Sequence, residues 1–216
     1  MILEFCHVTG TSKKYALQDI HFSLEAGFIM GLAGKNGSGK TTLLDYIMNP
    51  KKQYTGEIKI NGVDIRNDHV SMLNHIGFIS DENFFLKEHS AEENAKLLGA
   101  FYEKWDMKQF QEAMERMHVS SKRIVGKLSR GEYFKFQTAF AMAHKPILYL
   151  IDEATAGMDP VFRVDYFKIL QGLLEEEKAS ILMTSHIQDE IQRKMDYVGV
   201  MENGRLVQFG DTFQVF

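Results

Sequence analysis

The sequence predicts an α/β fold: a largely parallel sheet covered by helices on both faces, an antiparallel β part near the start, and a helical segment inserted in between. Three observations predict it. From Ile147 onward, short apolar runs alternate with helix-period stretches (ILYLI, a helix over 160–175, SILMT, IQDEIQRKM), and strands separated by helices pair in parallel. Earlier, TGEIKINGVDI alternates apolar and polar residues about Asn61-Gly62, a hairpin signal. Over 84–127 the period changes to helical, through Leu97, Leu98, Phe101, Phe110, Met114 and Met117.

Taken in order, ILEFCHVT and LQDIHFSLEAG read as paired strands around a polar loop, and 28–33 is an apolar strand followed by a glycine-rich loop and the helix LLDYIM. HIGFIS is a further strand. Ser90, with Glu93 three residues on, caps the first helix of the insert, whose methionines Met107, Met114 and Met117 fill core or form an adaptable partner face. A helix over 129–143 follows, and YVGVMEN and RLVQFG close the sheet. One domain over 1–216 is expected, with 1–83 and 128–216 as core and 84–127 as insert.

Composition limits the function classes. With 216 residues, 44% hydrophobic and 25% charged, the chain can bury a sizeable core and is neither disordered nor collagen-like. Its formal net charge of −4 lacks the basic excess of a nucleic-acid binder, so no nucleic-acid partner is expected. A single cysteine, Cys6, forms no internal disulfide, no leader-like opening is seen, and the longest apolar runs fall far short of a bilayer span. A cytoplasmic protein is expected.

Gly34-Lys35-Asn36-Gly37-Ser38-Gly39-Lys40-Thr41, followed by Thr42, fits G-x-x-x-x-G-K-[ST] between a strand and a helix. In such a loop backbone N–H groups turn toward phosphate oxygens, Lys40 reaches the β and γ phosphates, and the Thr41 hydroxyl suits Mg²⁺. ATP and Mg²⁺ are the implied ligands. Downstream, a buried strand ends in Asp152-Glu153, at the edge where α/β sheets bind ligands. Asp152 would hold Mg²⁺ and Glu153 would take a proton from an attacking water.

With Leu128-Ser129-Arg130-Gly131-Glu132 lying between those motifs, the order and spacing resemble the ATP-binding domain of ABC transporters, from Ile2 to about Phe209. The resemblance implies a P-loop NTPase (RecA-like) core with an antiparallel β subdomain and an inserted α-helical subdomain. It also implies Mg-dependent ATP hydrolysis by two copies, or two related subunits, closing head to tail. LSRGE stands at the family's LSGGQ signature, so Ser129, Arg130, Gly131 and Glu132 are expected to act in trans on the partner's ATP. Asp159, in DEATAGMDP, matches the D-loop, and His186 the switch histidine; the other seven histidines read as surface or satisfied structural residues.

The family's Q-loop glutamine falls on Asp81, or on Glu82 if the register slips by one; a carboxylate there still suits Mg²⁺ or its water. Tyr15 is either the adenine-stacking aromatic or a packing residue. SDENFFL, FYEKWD and LSRGE further resemble the subgroup serving ABC-2-type exporters of peptide antibiotics and drugs. In that subgroup a membrane-spanning subunit docks in a groove near Phe84, Phe85 and Leu86, which here either line that groove or join the core. The resemblance implies a transport ATPase peripheral on the inner face of the membrane; the alternatives are a soluble ABC-type ATPase and a regulatory subunit with little hydrolysis. The chain ends soon after RLVQFGD, so a carboxy-terminal extension is expected to be absent or removed.

Overall fold

The computed structural model describes residues 1–11, 17–155, 157–176 and 178–215. Strands β1 (Leu3–Gly10) and β2 (Ile20–Leu24) are antiparallel, and β3 (Ile29–Ala33) leads through the glycine-rich loop into helix α1 (Lys40–Met48). Strands β4 (Tyr54–Ile60) and β5 (Val63–Asp64) turn at Asn61 and Gly62, both with positive φ (50° and 77°), as an Asn-Gly hairpin requires. A short helix α2 (His69–Leu73), not announced by periodicity, precedes β6 (Ile76–Ile79).

Residues 84–127 then hold α3 (Ala91–Gly99), α4 (Met107–Arg116) and a 3-10 turn at Val125–Lys127. Ser90 caps α3 reciprocally with Glu93. The base of this segment is stitched shut: Ala91 N donates to Arg123 O (3.0 Å) and Gly126 N to Lys87 O (2.9 Å). Helix α5 (Arg130–Met142) is capped by Ser129, and β7 (Leu148–Asp152), α6 (Pro160–Glu175), β8 (Ser180–Ser185), α7 (Gln188–Lys194), β9 (Tyr197–Glu202), β10 (Arg205–Asp211) and α8 (Thr212–Val215) complete the order.

Two sheets result. One is antiparallel, in the order β2-β1-β4-β5; the other has six strands, β10-β9-β3-β8-β7-β6, with β10 antiparallel to the rest. Alternation along β7 divides the interior, as side chains of a strand face opposite ways. Leu148 and Leu150 pack toward α1 and the antiparallel sheet, whereas Tyr149 and Ile151 join the core built from α4, α5 and α6. Ring contacts bind insert to core: Trp105 and Phe140 centroids are 4.7 Å apart, and Phe85 lies 4.6 Å from Phe136. Parallel pairing brings the carboxyl ends of β3, β6, β7 and β8 to one edge of the sheet, the place where such sheets take ligands.

Candidate nucleotide and catalytic site

Each of those strand ends delivers part of one site. After β3, the loop 34–39 folds back on itself: Gly34 (φ 151°), Gly37 (φ 80°) and Gly39 (φ 113°) take conformations that L side chains rarely adopt. A Cβ on Gly34 would stand 2.5 Å from both Met201 O and Ser38 Oγ. Gly39 precedes α1 without any side-chain cap, so the first N–H groups of the helix are left for an anion. Lys40 is buried, its Nζ donating to Gly34 O (2.8 Å) and Lys35 O (3.2 Å). Ser38 Oγ is buried with no hydrogen-bond partner among the described residues, an orphan polar atom that fits a loop shaped for a phosphate.

At the end of β7, Asp152 Oδ1 accepts from Thr184 Oγ1 at 2.5 Å, and Glu153 N donates to the same Thr184 hydroxyl oxygen (3.0 Å). Glu153 has φ 47°, a left-handed conformation that is strained for a non-glycine residue and that aims its carboxylate inward. Its Oε1 lies 3.6 Å from Lys40 Nζ and 3.7 Å from His186 Nδ1, which follows β8. A cavity of about 320 Å³ opens over these groups, walled by Asn36, Gly37, Gly39, Lys40, Thr41, Thr42, Asp81, Asp152 and Glu153. Among the described residues no three His, Cys, Asp or Glu side chains group to hold a metal by themselves. A divalent ion here would therefore draw on the Thr41 hydroxyl, Asp152, phosphate oxygens and water, a hard-oxygen set that suits Mg²⁺.

Asp81 reaches the same cavity from β6, but its carboxylate is engaged: Arg130 Nε donates to Oδ1 at 2.8 Å and Nη2 to Oδ2. Arg130, expected to face a second copy, thus turns in this chain toward its own pocket. Ser129 and Glu132 satisfy one another as a capping box, and Arg123 also bonds Glu132. The Ser129 N–H holds the Glu132 carboxyl below the usual range. Gly131 fits because a Cβ there would lie 2.8 Å from the Phe162 ring. Asp159 caps α6, its Oδ1 accepting from Phe162 N at 2.9 Å. Tyr15, the adenine-stacking candidate, lies outside the described residues, as does Ala156 beside Asp159.

Three positioning groups were not picked out from the sequence. Thr184 locks Asp152 and Glu153, and a polar residue ending the apolar run ILMTS was its only local signal. Gln137, buried in α5, holds both backbone groups of Ser80, accepting from N (3.2 Å) and donating to O (2.8 Å). Buried Glu190 accepts from Thr155 Oγ1 (2.7 Å) and Ser185 Oγ (3.1 Å), tying the exits of β7 and β8 together.

A second cavity, about 590 Å³, runs from Thr41, Thr42 and Asp152 to Phe84, Phe85, Tyr102 and His144. An adjoining hollow of about 360 Å³ extends it past Val70 and Phe101. The two phenylalanines divide their roles: Phe85 packs edge-on against Phe136 and Phe140, while Phe84 is 54% exposed, near Phe101 at 82%. Among the described residues no helix is long and apolar enough to cross a membrane.

The sheet edge and the cradle define a P-loop NTPase domain. The sequence model of the family described as "ABC transporter" matches residues 17–156, and the chain belongs to that family, whose ATP-binding domains bind ATP. It is 31% identical over 195 residues to the ABC transporter ATP-binding protein YtrB of Bacillus subtilis, covering 90% of this chain and 66% of that protein. To the bacitracin transport ATP-binding protein BcrA of Bacillus licheniformis it is 30% identical over 208 residues, covering 93% and 67%. The chain thus spans about two thirds of the length of these relatives, and proteins named for import also match. A solved ATP-binding subunit of an ABC transporter superposes with a TM-score of 0.85 at 23% identity, over 100% of this chain and 92% of that one, a likeness of fold.

Proposed function

We propose that the chain is the ATP-hydrolysing subunit of a membrane exporter, held on the cytoplasmic face through a membrane-spanning partner. The observation that carries this reading is the meeting of Lys40 and Glu153 in the cavity that the glycine loop walls, with His186 beside Glu153. Backbone N–H groups of 34–42 and Lys40 bind the β and γ phosphates, which fixes the terminal phosphorus in front of Glu153. Glu153 takes a proton from the attacking water, and His186 donates to the γ phosphate and orients the Glu153 carboxylate. Thr41 and Asp152 would hold Mg²⁺, which supplies charge neutralisation at the phosphates, and Asp81, bonded by Arg130 through both carboxylate oxygens, would join them as an oxygen ligand once that pair opens.

Ser129, Arg130, Gly131 and Glu132 of a second ATP-binding subunit, identical or related, complete the site in trans, with Asp159 at the junction. Closure on ATP and opening after hydrolysis would drive the partner. The 84–127 segment would act as the helical subdomain, with that partner docking at the apolar groove of Phe84, Phe85 and Phe101; the exposed rings of Phe84 and Phe101 support the transport reading. The exporter assignment draws on the acidic SDEN loop and on the likeness to BcrA.

Glu153→Gln tests the chemistry. It is expected to keep ATP binding while phosphate release falls by roughly 10²- to 10⁴-fold; undiminished release would remove Glu153 from the role of base. Capture of the tagged chain from detergent-solubilised membranes should bring down a polytopic membrane protein in stoichiometric amount. Recovery of soluble partners alone, under conditions that preserve a known transporter, would move the assignment to a soluble ABC-type ATPase.

A further inference from the structure

Helix α5 presents Arg130, Phe134 and Gln137 at i, i+4 and i+7, one face of a helix, and that face grips the segment leaving β6. Gln137, 1% exposed, fixes the backbone of Ser80 from both sides, so the next residue, Asp81, starts from a fixed point. The Arg130 guanidinium is located independently: its Cζ stands 5.6 Å from the Phe134 ring centroid, and Nη2 lies 3.5 Å from Glu153 O. A Cβ on Gly157 would stand 3.1 Å from Nη1. The fork therefore meets the Asp81 carboxylate with both partners pre-placed, Nε to Oδ1 at 2.8 Å and Nη2 to Oδ2.

The charge count of the cavity gives the pair a task. Asp81, Asp152 and Glu153 all wall it, and among the described residues Lys40 is the one cation in its lining. A triphosphate entering there meets three carboxylates and one ammonium unless something offsets Asp81. We propose that Arg130 is a positioning residue acting in cis: it neutralises and orients Asp81 so that the pocket of the same chain accepts the polyanion before any second copy arrives. This rests on the reading of the cavity as the ATP phosphate site, and it adds to Arg130 a role separate from one in trans.

The test is ATP affinity of the full chain in EDTA, at protein concentrations where it is monomeric, so that neither metal nor a second copy contributes. Arg130→Gln is expected to bind ATP about 10-fold more weakly at low salt, since one unoffset charge then acts at short range on a ligand that carries several. Asp81→Asn should bind several-fold more tightly than the native chain, and the double variant should return to within about 3-fold of it. The Arg130→Gln deficit should shrink as salt is raised, a response that a packing defect would not give.

Native affinity in Arg130→Gln, or a double variant as weak as Arg130→Gln alone, would overturn the pair. So would Asp81→Asn binding no more tightly than the native chain, a result that stands even if Arg130→Gln fails to fold. Lys40→Ala separates the two levels: if it binds ATP normally, the cavity is not the phosphate site, whereas its loss beside an unaffected Arg130→Gln refutes the charge pair alone.

Discussion

Gln137→Leu removes the clamp on Ser80 with little change in side-chain volume, so the energetic consequence can be worked from two hydrogen bonds. Gln137 is 1% exposed and Ser80 2%, and the amide serves the Ser80 N–H and C=O at 3.2 and 2.8 Å. Replacing it leaves two backbone groups unpaired away from water, at about 1–3 kcal/mol each, with about 1 kcal/mol returned by the apolar leucine. The expected loss is about 1–5 kcal/mol, a large share of the ~5–15 kcal/mol that holds a domain folded. At this chain length it corresponds to a melting temperature lower by roughly 2–20 °C. Urea unfolding followed by circular dichroism, with the m-value compared between the two proteins, measures it directly. A change below about 0.5 kcal/mol at unchanged m would refute the reasoning, because it would mean that the Ser80 groups are satisfied without Gln137. ATP affinity should fall in the same variant, since Asp81 then loses its fixed starting point.

Burial beside Tyr102 lowers the His144 imidazole to about 4 from 6.5. The unfolded chain then takes up a proton near pH 6.5 and the folded chain only near 4. The stability this residue contributes is complete above pH 6.5 and is lost as pH falls toward 4, about 2 kcal/mol of it by pH 5. Urea midpoints at pH 7 and pH 5 should show that loss, and His144→Gln should flatten it; an equal pH response in the variant would contradict the assignment. Gly34→Ala should abolish ATP binding, because its methyl would stand 2.5 Å from Met201 O and Ser38 Oγ. Isothermal titration with ATP checks this, and native affinity would show that the loop relaxes without cost.

Local signals in the sequence were sufficient where chemistry is written in neighbouring residues. The loop 34–41, the Asp152-Glu153 pair at a strand end, the Asn61-Gly62 turn and the cap Ser90 each rest on residues within a few positions of one another. What escaped depends on pairing across the chain. Arg130 meets Asp81 across 49 residues, and Thr184 reaches Asp152 across 32, because β6, β7 and β8 lie side by side in register. No periodicity in α5 could say which way Gln137 points, since the helix buries residues on most of its faces. Periodicity also passed over α2, which makes up for its five residues with a cap, Asp68 Oδ1 accepting from Ser71 N at 3.0 Å.

Helix α5 ends its course in the wall of the large groove, where Phe140 meets Phe85 and Trp105, while its first residue holds Asp81 at the phosphate cavity. These two ends are separated by about 15 Å of one packed helix. A load placed on the groove and a load placed on the phosphate cavity therefore bear on the same rod. Where they do so, reciprocity fixes the outcome: whatever factor a nucleotide imposes on the affinity of a groove-bound partner, that partner imposes on the affinity of the nucleotide.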